Sequence, residues 1–468
     1  MSFCGENFLL KNPTAVRLYN DYAKSAPIID YHCHLKADEI FLNKKFKNLT
    51  EVWLRKDQYK WRLMRANGIS EKYITGNGSD YEKFVAWAET LERCAGNPLY
   101  HWSHMELRQF FGIEKPLSRK TAPEIWEEAN TKLGDCGLGA QDLIQNANVR
   151  VIGTTDHPLS ALEDHQKIQE SELEVTVVPT FRMDALITVT SDLLDEIEKL
   201  YGVSLEQLDD YSEFIKQRVL YFDKFGCRAA DYGVGQMDWQ EITSNPWETF
   251  RKICHHETVD ARSLADLELY LVEEILFYIH EKDWVFQLHY GAVGSVNEAA
   301  KKRLGTGTGF DTIMDQGTVA TSLLTLFNHM NNRNALPKTI LYNIDGTKNA
   351  VTETVMACFQ DNEAQIRGKM QHGPAWWFQD TLHGNRKQME NLAEQGILMN
   401  FVGMTTDSRS FLSYARHDYF RRILCDCLGQ WVEAGEMPDD SQLLENFVKD
   451  VCYRNAQNYF NFIRKDVE

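Results

Sequence analysis

Apolar positions along the chain fall into two rhythms. Short apolar runs bounded by turn-forming residues predict strands over 27–35, 149–155, 174–181, 226–232, 284–291, 338–345, 368–373 and 400–407. The runs at 226–232 and 368–373 are the poorest in β-branched residues. Between the runs, apolar residues recur at helical spacing, as in Leu267, Leu271, Ile275, Leu276 and Ile279, or Tyr419, Phe420, Ile423, Leu424 and Leu428. Strands alternating with helices form parallel βαβ units, and about eight such units predict a (β/α)8 TIM-type barrel.

One stretch breaks the alternation. Residues 36–148 are far longer than a crossover helix, carry amphipathic patterns at 81–93 and 123–133, and hold Trp53, Trp61, Trp87, Trp102 and Trp126. This predicts a helical insertion after the first strand that caps the barrel. The expected domains are therefore a barrel made of 1–37 and 149–468 and an insertion made of 38–148. A second helical enlargement is expected over 184–225, and a last helix over 443–463 is expected to close the outer layer.

Composition narrows the function. Of 468 residues, 43% are hydrophobic and 25% charged, which is globular usage. Lys plus Arg number 50 against 68 Asp plus Glu, a net charge of −18 that repels phosphate backbones, so no nucleic-acid partner is expected. An anionic small molecule then needs Arg or Lys gathered locally. No apolar run approaches the ~20 residues of a membrane span, so no membrane association is expected. The first residues lack a basic start followed by an apolar core, and the ten Cys are scattered without a CxxC, so a reduced, cytoplasmic chain is expected.

The sharpest chemical signal is Asp30-Tyr31-His32-Cys33-His34. Side chains two apart on a strand share a face, so His32 and His34 point together into the barrel. Such a pair either starts a Zn, Mn or Fe site or is a hydrogen-bonded core pair. The metal reading gains weight because Asp156, Arg182, Asp231, His289, Asp345, His372 and Asp407 also fall at strand C-terminal ends, which meet at one face of such a barrel. Asp407, on the last strand, neighbours the first strand once the barrel closes. It is placed to contact the metal, to act as a base through the metal's water, or to cap the next helix. Arg182 and Arg409, whose planar forks suit carboxylates, point to an anionic substrate. Of the adjacent Trp376 and Trp377, one is expected in the core and one against a sugar or ring. His101 and His104 are assigned to packing or a supporting role, and His255-His256 to solvent. Gly305–Gly309 reads as a turn-rich connection without the Lys of a phosphate loop, and no Gly-x-Ser-x-Gly elbow occurs.

These residues resemble the uronate isomerases of the amidohydrolase superfamily. The resemblance runs from Glu6-Asn7-Phe8-Leu9-Leu10 almost to the C-terminus. It is carried by DYHCHL at 30–35, DQYKWRLMR at 57–65, NPLYHW at 97–102, KTILY at 338–342, Trp376-Trp377-Phe378 and FVGMTTDSRSFLSYARHDYFRRILC at 401–425. It implies a (β/α)8 barrel with one divalent metal, zinc by preference, on His32, His34 and Asp407. It also implies aldose–ketose isomerisation of D-glucuronate to D-fructuronate and of D-galacturonate to D-tagaturonate through an enediol. Arg182, Arg409, Trp376 and Gln58 are the implied sugar-acid contacts, and Asp407, Tyr59 and His289 the groups assigned to catalysis. A homo-oligomer is compatible with the resemblance. Several positions depart from the family pattern: Gln58 and Tyr232 stand where His is usual, His157 where Asp is, and Gly294 where Arg is. Ile344-Asp345-Gly346 replaces Asn-Pro, and Pro374-Ala375 replaces Ser-Gly. The alternatives are a divergent hydrolase of the same superfamily and a weakly active sugar-acid binding paralogue.

Overall fold

The computed structural model describes residues 3–134, 137–363 and 365–462. Ten strands form: β1 (Ile28–Asp30), β2 (Val149–Gly153), β3 (Thr176–Val178), β4 (Phe181–Arg182), β5 (Ala229–Val234), β6 (Val285–Tyr290), β7 (Ala292–Val293), β8 (Thr312–Ile313), β9 (Lys338–Asn343) and β10 (Met370–His372). They order as β1-β2-β3 and β4-β5-β6-β9-β10, all pairs parallel, with β7-β8 a separate antiparallel pair. The two parallel sheets are one surface. Pro179 lacks an N–H and splits β3 from β4, but Thr180 N donates to Thr154 O at 3.0 Å and Arg182 N to Asp156 O at 3.1 Å across the break.

The predicted eighth strand does not form a regular ladder, although residues 401–408 occupy its place. On the β1 side, Asp407 N donates to His32 O at 3.0 Å and His34 N to Ser408 O at 2.9 Å. Side chains supply the other bonds. Thr405 Oγ1 accepts from His32 N at 2.9 Å, and on the β10 side Gln371 Nε2 donates to Asn400 O at 3.0 Å. The cause lies in two left-handed residues, Gly403 (φ 79°) and Asp407 (φ 46°), which break extended geometry. Gly403 also lies so close to Val451 O that a Cβ would stand 2.2 Å from it. The barrel is thus of the (β/α)8 type, with one irregular stave.

Helices fill the gaps between strands. The 267–279 pattern lies in the helix Ala261–Glu281, and the 419–428 pattern in Ala415–Glu433. Between β1 and β2 the described residues form helices from Ala37–Phe41 to Ala140–Asn146 and one isolated bridge between Lys45 and Gly139, with Trp53 and Trp87 fully buried. The expected last helix forms as Ser441–Lys449, a wider turn at Asp450–Arg454, and Asn455–Phe460; Ile463 lies outside the described residues. No helix among the described residues is long and apolar enough to cross a membrane.

Candidate metal centre and active site

β1 ends at Asp30, and its histidines follow in the irregular segment beyond, where His32 N donates to Thr405 Oγ1 at 2.9 Å and His34 N to Ser408 O at 2.9 Å. His32 Nε2 and His34 Nε2 both face Asp407 Oδ1, at 3.4 and 2.9 Å. Three donors from the two ends of the chain therefore converge, as the sequence pattern implied. Burial alone would raise the Asp407 carboxyl, but the two imidazoles hold it well below the ordinary range. The two histidines respond differently. Burial lowers both, yet Asp231 and Asp407 together outweigh it at His32 and raise that ring, while His34, with Arg409 opposing, stays lowered. Two imidazole nitrogens and one carboxylate oxygen form a set of three potential ligands, the number that the protein supplies to many catalytic divalent cations.

Asp30 explains why this corner is rigid. It is fully buried and accepts from Thr405 Oγ1 at 2.7 Å, Thr406 N at 2.6 Å and Thr406 Oγ1 at 2.6 Å. One carboxylate thus ties β1 to the irregular stave that carries Asp407. Its spacing of two before His32 placed it on the same face, but nothing in the sequence named its partners.

A second group surrounds His32. His289 Nδ1 lies 2.7 Å from Asp231 Oδ1, and the His289 ring stacks flat on Tyr342 at 4.1 Å and tilts 4.6 Å from His32. All three potential ligands, His32, Asp231 and His289, are buried. His289 Nε2 and His32 Nδ1 lack hydrogen-bond partners among the described residues. Burial pushes Asp231 up, but His289 and His32 outweigh it and keep the carboxylate ionised.

The insertion brings the other wall. Asp57 caps the helix Gln58–Ala66, accepting from Lys60 N at 3.0 Å, and its second oxygen pairs with the buried Lys60 Nζ at 2.6 Å. This sets Gln58 and Tyr59 into a cavity that Asp407, Arg409, Trp377 and Phe378 also line. Tyr59 is half-buried; burial and the nearby Asp407 charge push its hydroxyl well above the usual range, so it is a proton donor. Arg409 is exposed at this cavity and makes no ion pair among the described residues. Arg182 stands apart from that lining, 3.3 Å from Asp184 Oδ2, with Asp231 and Asp407 contributing to its field. The Gly-rich connection folds over this helix: Arg65 Nη1 donates to Thr308 O at 2.6 Å, and a Cβ on Gly307 would stand 3.8 Å from Gln58 Nε2.

Other strand-end residues do not join the cluster. His372 is spent on Glu353 at 2.7 Å and Asn343 at 2.6 Å. Asp345 caps a short turn by accepting from Thr347 N at 2.9 Å, and Asp156 accepts from Thr154 Oγ1 at 2.7 Å. His101 and His104 pack, the former 3.3 Å from the Tyr419 hydroxyl, and His255 and His256 are exposed. The expected split between the paired indoles forms, with Trp376 buried in the core and Trp377 lining the cavity, yet both turn their N–H towards Asp407. No sequence signal announces this. Among the departures, Tyr232 packs beside Trp239 on the face of β5 opposite Asp231, away from the cluster. The space at Gly294 is taken by Asp311, whose Oδ1 would stand 3.0 Å from a Cβ there.

Fold and site together define a (β/α)8-type barrel with a candidate metal site of two histidines and an aspartate at its mouth. The family model described as glucuronate isomerase matches residues 1–460. A uronate isomerase of Caldicellulosiruptor saccharolyticus is 46% identical over 98% of this chain and 99% of its own, and one of Bacillus licheniformis is 45% identical over 99% and 98%. The crystal structure of the Thermotoga maritima uronate isomerase superposes with a TM-score of 0.91 at 32% identity, covering 98% of this chain and all of that one. The chain belongs to the glucuronate isomerase family.

Proposed function

We propose that this protein interconverts D-glucuronate with D-fructuronate and D-galacturonate with D-tagaturonate, using one zinc ion held by His32, His34 and Asp407. The convergence of those three side chains at one point of the barrel mouth carries the reading. When bound, the cation polarises the sugar's carbonyl and adjacent hydroxyl oxygens and stabilises the charge that develops on them.

The chain's own groups do the rest. Arg409, an unpaired guanidinium at the cavity, takes the sugar carboxylate, with Arg182 on the far side of the cluster as a second cation. Holding the distal carboxylate fixes C1 and C2 relative to the cluster. His289, with Nε2 unpartnered and Asp231 against Nδ1, is suited to move the proton between C2 and C1. The reaction is redox-neutral: a proton leaves C2, one arrives at C1, and the hydroxyl and carbonyl exchange places. Tyr59 stays protonated and donates to a sugar hydroxyl, Gln58 lends an amide beside it, and Trp376 walls the site 4.9 Å from His289. On this reading 38–148 is a cap domain that supplies Gln58 and Tyr59 to a barrel made of 1–37 and 149–468.

The test is to incubate zinc-replete, folded protein with each uronate in D2O and follow ketose formation and deuterium incorporation by NMR. Turnover of at least one uronate is expected. Absence of turnover with both overturns the reading.

A further inference from the structure

Asp407 has two oxygens, and the fold treats them differently. Oδ1 alone faces the two histidine Nε2 atoms. Oδ2 accepts from the indole N–H of Trp376 at 2.8 Å and from that of Trp377 at 3.0 Å. We propose that Trp376 and Trp377 are paired positioning residues that occupy Asp407 Oδ2, dedicate Oδ1 to the cation, and thereby set how tightly and how long the cation is held. The inference rests on the single-cation reading above and adds to it residues that touch no cation themselves.

The donor chemistry supports it. An indole N–H only donates, so it cannot swap roles as a hydroxyl or amide can. Two such donors on one oxygen keep that oxygen an acceptor. The histidines cannot do this work once a cation is present. Their Nε2 lone pairs then go to the cation, and neither ring donates to Oδ1 any longer. The carboxylate's rotation is then checked on the far side by the two indoles.

The backbone supports it independently. Adjacent residues of an extended chain point to opposite faces, so two neighbouring indoles cannot normally reach one atom. Here Trp377 has φ 48°, a left-handed conformation unusual for a bulky residue, and this turns the second ring back onto the first, 5.2 Å away. Asp407 is itself left-handed at φ 46°. Non-glycine residues in that region persist where their surroundings over-determine them, and they gather at functional sites. Both ends of the Trp377–Asp407 bond have this unusual geometry.

The experiment measures zinc affinity and zinc release by competition with a chromophoric chelator, without substrate. The proteins are the wild type, Trp376→Phe, Trp377→Phe, the double variant, and variants carrying benzothienylalanine at either position. That residue keeps the bicyclic shape and replaces the N–H by sulfur. Loss of one N–H is expected to weaken zinc binding about 10-fold and loss of both about 100-fold, with faster release. The unfolding midpoint of the zinc-free protein is expected to change little with the benzothienyl variants, which a packing role alone would not predict alongside the zinc effect. Benzothienyl variants that hold zinc as tightly and release it as slowly as the wild type overturn the proposal. If the Phe variants fail to fold, the benzothienyl variants decide. A wild type that takes up no zinc overturns the single-cation reading together with this one, whereas tight wild-type binding with unaffected variants overturns this one alone.

Discussion

His289, like His32 and unlike His372, has an unpartnered ring nitrogen at the cluster among the described residues. His372 has both nitrogens occupied, by Glu353 and Asn343, whereas His289 Nε2 is unpartnered among the described residues. General acid–base groups of this kind typically contribute about 10²–10⁴-fold. His289→Asn is therefore expected to lower kcat/KM by that factor while elemental analysis still finds one zinc per chain. Wild-type kinetics in that variant would remove His289 from the mechanism. His32, His34 and Asp407 were legible in the sequence because strand periodicity and the meeting of strand ends are general rules. His372 and Asp345 obeyed the same rules yet are satisfied locally, since a polar residue at a strand end serves equally well as a cap or a buried pair. The turn of Trp377 was not legible, because it depends on a backbone conformation that its neighbours impose.

Elements followed their hydrophobic rhythm where one face is buried. The helices Ala261–Glu281 and Val319–Asn332 pack side by side and are joined near the end of the second by His329. Its Nδ1 lies 2.6 Å from Glu273 Oε1 and its Nε2 lies 3.1 Å from Glu241 Oε2. Burial lowers His329, but these carboxylates outweigh it and raise the ring above its ordinary value. A raised folded value means the stabilisation is fully present below the unfolded value of about 6.5 and is lost as pH rises through the folded one. Glu241 is largely solvated, so screening keeps the effect to about 1 kcal/mol. His329→Gln is thus expected to destabilise more at acidic than at alkaline pH, read from urea unfolding at both. The predicted stave at 400–407 shows where rhythm fails. Its composition reads as a strand, but Gly403 and Asp407 turn left-handed, and Thr405 and Gln371 side chains replace ladder bonds.

At the scale of the whole molecule, the proposed cation would be coupled to folding, because its ligands would come from the segment just after β1 and from the stave after β10. A ligand that binds only the folded state stabilises it by about 2.7 kcal/mol at 100 times its dissociation constant. Zinc is therefore expected to raise the thermal unfolding midpoint and a chelator to reverse the gain. His34→Ala is expected to abolish the increment, as differential scanning calorimetry would report. The barrel and the helical stretch after its first strand were readable from alternation and length. The grip of that stretch on the mouth, through Asp57, Lys60 and the Gly-rich connection, was not, because it depends on contacts between residues far apart in sequence.

The seam that Asp30 and Thr405 close joins positions 375 residues apart. During synthesis on the ribosome, a growing chain displays its two histidines long before the matching carboxylate emerges. On the proposed reading, a polypeptide that stops ahead of Asp407 keeps two of the three metal ligands and lacks the one that closes the set, so the zinc-linked stability expected of the whole chain would be out of its reach.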